Sequence, residues 1–255
     1  MELLKQWFIG LVTCFLLASV SQAQVVNIEQ ARIKTDTSAW AGHIQSTFFS
    51  QQNQNRLLSA SLRGTVQHKP KNKKHLYLAL LDGNFSASNA VQYSNAAMIH
   101  LRCNYKLFSL LKWEVFSQLQ QNKVLGLDRR ALLGTGPRLK LLDSDHWRSY
   151  WGVLGMLEQE RLKGASQLDY FMRASSYFTI TITQSELWSF ASTTYYQPLF
   201  ADFHDFRIAG QHTFSLAIAK HWAMRAELTH TWDSRPPIGV VKSTVLTSMG
   251  IGIDL

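Results

Sequence analysis

The chain has 255 residues, with 26 basic and 17 acidic side chains giving a formal charge of +9. Hydrophobic residues make up 46% and charged residues 17%, too apolar for a disordered chain and too evenly spread for a bundle of membrane helices. Two cysteines, Cys14 and Cys103, exclude a disulfide framework and a cysteine zinc site.

The first segment reads as an address. Lys5 precedes an apolar run from Trp7 to Val20, and Ser21-Gln22-Ala23 places small residues at −3 and −1 of a cleavage after Ala23. This is the pattern of a secretory signal peptide over residues 1–23. The run is too short for an uncleaved anchor helix, which needs about 20 apolar residues. Residues 24–38 are read as an N-terminal periplasmic segment and 39–255 as one β domain.

From there the chain alternates with a period of two. Ile99, Leu101, Cys103, Tyr105 and Leu107 oppose His100, Arg102, Asn104 and Lys106. Phe178, Ile180 and Ile182 oppose Arg173, Ser175, Tyr177, Thr179 and Thr181. Ile208, Phe214, Leu216 and Ile218 oppose Arg207, Gln211, Thr213 and Ser215, and the pattern recurs from Trp222 to Asp233. The alternation predicts twelve antiparallel strands near 39–51, 56–68, 74–84, 96–107, 112–122, 128–142, 147–160, 169–182, 187–198, 206–219, 222–233 and 242–255.

The joins after the fourth, sixth, eighth and tenth strands are short. Those after odd strands read as longer and richer in Gly, Asn, Ser and Pro: Phe85–Asn95, Gln159–Leu168, Pro198–Asp205 and Asp233–Val241. Short turns at one rim and long loops at the other suit a closed transmembrane barrel, with the first strand pairing with the last. Trp40, Trp113, Trp151, Trp188 and Trp222 lie near the starts of alternate strands, hence on one rim, where an indole suits the headgroup boundary; Trp232 belongs to the other. The chain ends Ser248-Met249-Gly250-Ile251-Gly252-Ile253-Asp254-Leu255. Gly250, Ile253 and Leu255 in that pattern resemble the C-terminal signal that barrel-assembly machinery reads, although Leu255 departs from the commoner terminal Phe.

Several stretches carry a family resemblance: Trp113-Glu114-Val115-Phe116-Ser117-Gln118, Arg129–Arg138, Tyr196-Gln197-Pro198 with Asp205–Ile208, and Asp233–Pro237. Together they resemble the domain-of-unknown-function 481 family, over nearly the whole chain after residue 26. The resemblance implies a Gram-negative outer-membrane β-barrel and no established activity.

Parity places Glu114, Gln118, Arg130, Arg138, Glu158, Arg173, Arg207, Arg225 and Glu227 on the inward face, as lumen-lining residues. Interleaved guanidinium and carboxylate groups either pair into a plug or leave a polar path. The basic bias would favour a small polar or anionic solute along such a path. Gly134 and Gly136 leave room for a neighbouring side chain or mark a bend. The expected role is structural or weakly conducting, with outer-membrane lipids and lipopolysaccharide as surroundings, no nucleic acid, no cofactor and no metal. The alternative is a hydrolase using an outer-rim His, for which Asp202, His204, Asp205 and Ser192 are the candidates. The basic run Lys69–His75 reads as a solvated turn, or as a contact for anionic lipid phosphate or the cell wall.

Overall fold

The computed structural model describes residues 39–52, 55–71, 74–89, 91–123, 126–184, 187–219 and 222–253. The expected signal peptide (1–23), the segment 24–38 and terminal Leu255 lie outside them. Twelve strands follow one another: β1 (Trp40–Gln52), β2 (Arg56–His68), β3 (His75–Ser88), β4 (Val91–Lys106), β5 (Leu111–Asn122), β6 (Leu127–Asp143), β7 (Trp147–Leu162), β8 (Asp169–Gln184), β9 (Trp188–Leu199), β10 (Asp202–Ala219), β11 (Trp222–Asp233) and β12 (Ser243–Ile253). They form one sheet in chain order, every neighbour antiparallel. With 11 to 18 residues each, the strands meet or exceed the 9–11 that a tilted span requires.

The sheet curls far enough for side chains of β5 to meet those of β8, and those of β7 to meet β10. The expected pairing of β1 with β12 is not found among the described residues, where these strands stand at the two ends of the order. The inward-parity residues there, Gln45 and Thr47 on β1 and Ser248 and Gly250 on β12, are polar or small and exposed. In lipid, an edge without partners leaves backbone groups unsatisfied.

The strands overrun their expected ends. β3 and β4 stay paired from Phe85↔Asn95 to Ser88↔Val91, and β9 and β10 leave only residues 200–201 between them. The long-loop expectation is therefore corrected at Phe85–Asn95 and Pro198–Asp205, while 163–168 and 234–242 remain longer connections. Backbone pairing does not depend on an apolar outward side chain, so the polar stretch continues the ladder. The Ser94 hydroxyl donates to the Asn84 side chain within it. Asn89 closes this hairpin with φ of 52°, a left-handed value that asparagine tolerates.

Alternation divides the sheet into two faces of opposite character. Ile99, Leu101, Val115, Leu119, Leu133, Val153, Leu157 and Phe178 are exposed on the outer face. His100, Arg102, Asn104, Glu114, Arg138, Glu158 and Arg173 are buried on the inner. At the rim of the even-strand turns, Trp40, Trp113, Trp147, Trp151 and Trp222 face outward and are exposed, and Trp188 is half-buried against Phe214. Two of these indoles donate sideways, Trp113 to the Thr135 hydroxyl at 2.8 Å and Trp151 to the Ser176 hydroxyl at 3.1 Å. Along the same rim Trp40 stacks on His68 at 4.0 Å, and His75 packs on Tyr105 at 4.9 Å.

Candidate functional site

The inner face is built in three layers. Nearest the even-strand turns, Glu114 of β5 is fully buried. Arg138 of β6 donates to one carboxylate oxygen at 3.1 Å, and the Tyr177 hydroxyl of β8 donates to the other at 2.5 Å. The Arg102 guanidinium lies 3.7 Å from that second oxygen, and Arg138 also sits 4.1 Å over the ring of Tyr150. Register explains the reach of Tyr177. It lies opposite Gly152, which lies opposite Arg138. A Cβ at Gly152 would stand 2.2 Å from the Tyr177 ring, so the absent side chain is the channel through which the phenol crosses β7.

The middle layer is apolar. Phe116, Leu154, Met156, Tyr177, Tyr195 and Ala209 pack together with Leu132 against them. Gly134 makes room, as expected, for a neighbour: its Cβ would meet the Phe116 ring at 2.3 Å. Gly136 is equally constrained, by the backbone of Val153 at 2.2 Å. The β6–β7 ladder skips Gly136 and Pro137, and Pro137 has no N–H to donate. His100 stacks on Phe116 at 5.4 Å, with its Nδ1 2.9 Å from the Gln118 carbonyl oxygen.

The third layer, toward the odd-strand loops, centres on Glu158. Its carboxylate takes Arg130 at 2.7 Å, Arg207 at 2.6 Å and Arg173 at 2.9 Å. Glu160 accepts from Arg130 at 2.6 Å and Arg207 at 3.3 Å. Asp233 pairs with Arg207 at 3.0 Å, and Asp205 with Arg173 at 2.9 Å. Three guanidiniums thus face four carboxylates, each arginine shared among several oxygens, the arrangement its planar fork favours.

Of the residues expected to line a lumen, Glu114 and Arg138 meet in the first layer, and Arg130, Glu158, Arg173 and Arg207 in the third. Gln118 bonds His100 through its side-chain amide oxygen. Arg225 and Glu227 share the inner parity of β11, the strand next to the end strand β12. Arg225 is exposed, and Glu227 accepts from the Thr229 hydroxyl at 3.5 Å.

Asp205 was missed as a partner of Arg173. Its odd parity with Arg207 was visible, but the strand was expected to begin at 206, and a register shift between Asp202 and Phe206 breaks the phase there.

Of the rim residues weighed for hydrolysis, His204 meets Asp202 through its backbone N–H, which donates to the carboxylate at 3.0 Å. Asp202 pairs with Arg235 at 2.7 Å and Asp205 with Arg173, while Ser192 bonds His212 at 2.8 Å on the outer face, well down β9. His212 in turn lies 3.3 Å from His230, whose ring covers Gly210. These three side chains satisfy one another among apolar neighbours, without a carboxylate to orient the imidazole.

The Gly152 channel makes a direct prediction. Tyr177→Phe should cost about 1.5–3 kcal/mol, the range for a hydrogen bond to a charged group. In a Gly152→Val background, where the phenol cannot cross β7, the same change should cost under about 0.5 kcal/mol. Urea midpoints of the four proteins measure this, and equal costs in both backgrounds would refute it.

Fold and inner face together define a twelve-stranded, all-β protein with a charged interior and an apolar exterior. The chain belongs to the family described as "Protein of unknown function, DUF481", whose model matches residues 46–255. No curated protein matches it by sequence. Among solved structures it is similar to the NanC porin in a rhombohedral crystal form, at 8% identity and a TM-score of 0.49, covering 85% of this chain and 98% of that one. It is also similar to the CymD monoaromatic hydrocarbon channel, at 10% identity and 0.46, covering 86% and 80%. A third is KdgM porin in complex with disordered oligogalacturonate, at 14% identity and 0.38, covering 79% and 96%.

Proposed function

We propose that this protein is a non-enzymatic outer-membrane β-barrel, structural or at most weakly conducting, whose interior is closed by its own ion pairs. One observation carries the reading. Leu133 and Leu157, paired across β6 and β7, are 54% and 53% exposed, whereas Arg138 and Glu158 on the opposite face are each 1% exposed. Water would reverse that arrangement; lipid tails outside a closed barrel favour it. In a bilayer, β1 and β12 pair, because an open edge there leaves backbone groups unsatisfied at several kcal/mol each.

The layered interior supports occlusion. Apolar side chains pack between the two ion-paired layers. On this reading residues 1–23 are removed during export, lipids and lipopolysaccharide surround the barrel, and assembly machinery recognises the strand ending at Gly250, Ile253 and Leu255.

Two measurements test it. The protein should be recovered in the outer-membrane fraction with heat-modifiable gel migration, and recovery as a soluble periplasmic protein would refute the location. Refolded protein in a planar bilayer should give near-baseline current. A steady, open-channel current would leave the barrel standing and replace the plug with a pore.

A further inference from the structure

A cavity of about 170 Å³ lies within the inner face, between the middle layer and the odd-strand loops. Apolar atoms make up most of its lining, with charged and amide side chains among them, and it opens toward the loops. We propose that it is a binding pocket for a compact, neutral molecule about the size of one aromatic ring, carrying a hydroxyl.

Size comes first. An apolar cavity of about 150 Å³ accommodates benzene. The walls here are of the right kind, with Phe116, Leu154, Met156 and Tyr195 from three different strands. Charge comes second. Charged side chains also line the space: Arg130, Arg207, Glu158, Glu160 and Asp233 engage one another at 3.3 Å or less, Arg102 lies 3.7 Å from Glu114, and Lys242 is exposed at the loop rim. An anion would have to displace a buried carboxylate from its guanidiniums, and a cation the reverse; a neutral guest displaces neither. This departs from the anionic solute expected from the basic bias of the strands. The acids that cancel that bias include Asp205 and Asp233, which only the fold brings to the arginines. Polar contact comes third. The amides of Gln118 and Gln120 line the same cavity; Gln118 already donates to the Gln120 side-chain oxygen and meets His100, so a hydroxyl would use the remaining amide hydrogens and lone pairs.

The pocket also has a cover. Pro236, Pro237 and Val240 of the β11–β12 connection line it. That connection is anchored by Arg235 to Asp202 at 2.7 Å, and by the Phe206 N–H donating to the Ser234 hydroxyl at 2.8 Å. Gly239, at φ of 83°, supplies the left-handed bend that turns the segment inward. A guest would enter from the loop rim beneath this segment.

The test uses the refolded full chain in detergent, titrated with phenol and, separately, with benzoate, which has the same ring and a charge. Saturable one-to-one binding of phenol is expected by calorimetry, with benzoate at least tenfold weaker. Ala209→Phe fills the cavity and should weaken phenol binding at least tenfold while heat-modifiable migration is unchanged. Leu132→Phe serves the same purpose if Ala209→Phe does not fold. Equal phenol uptake by wild type and a folded filled variant would mean partition into micelles, and would overturn the proposal. So would benzoate binding as tightly as phenol. The pocket rests on the inner-face geometry alone, so its failure leaves the membrane reading intact. An open-channel current would equally leave the phenol result to stand.

Discussion

Truncating Glu158 to alanine is expected to cost about 3–5 kcal/mol of folding stability, the range for removing one partner of a buried ion pair. Its carboxylate is the common acceptor for Arg130, Arg173 and Arg207, at 2.7, 2.9 and 2.6 Å. Arg173 retains Asp205, and Arg207 retains Glu160 and Asp233, so the variant is left with partial rather than total loss of compensation. Adding Arg207→Leu should therefore recover part of the loss, because it removes one of the buried cations that Glu158→Ala leaves in excess. Unfolding in urea, followed by tryptophan fluorescence in lipid vesicles, measures both variants. A cost below about 1 kcal/mol for Glu158→Ala would mean that the third layer is hydrated and its ions screened.

Leu133→Arg is expected to destabilise the protein by about 2–4 kcal/mol, the cost of a lipid-facing arginine near the midplane of a barrel. Leu133 projects from the middle of β6 and lies beside Leu157 on β7. The comparison that gives the experiment its meaning is Leu139→Arg, nearer the Trp113 and Trp151 rim. There the side chain can extend to the headgroups, and the cost should fall to about 0–1 kcal/mol. A soluble protein would show little penalty at either position, since both are exposed to whatever surrounds the molecule. Equal and small effects at Leu133 and Leu139 would therefore refute the membrane assignment without reference to any current measurement.

Much of this was legible in the sequence because side-chain direction in a strand is a local property. Ile99, Leu101 and Cys103 alternate with His100, Arg102 and Asn104 within one segment, and nothing outside that segment is needed to know that they face opposite ways. Placing the arginines outward would set charges among lipid tails, so register was strongly constrained before any pairing was known. The tryptophans followed from the same logic, since alternate strands begin at one rim. Strand ends were less legible. Ser86, Ser94 and Asn95 read as loop residues, yet they pair, because a ladder is held by backbone groups that every residue but proline supplies.

The sequence by itself determined the number of strands, the face on which each side chain lies, and the opposition of a charged inner to an apolar outer surface. Only the tertiary structure decided which inner groups meet. Glu158 finds Arg207 across two intervening strands, Arg173 finds Asp205, and Tyr177 reaches Glu114 through the gap at Gly152. Those contacts depend on the stagger of successive strands and the curl of the sheet, quantities that accumulate over many residues and leave no period in any one segment. Parity is set by the geometry of one residue and its neighbours, whereas partnership is set by the whole sheet.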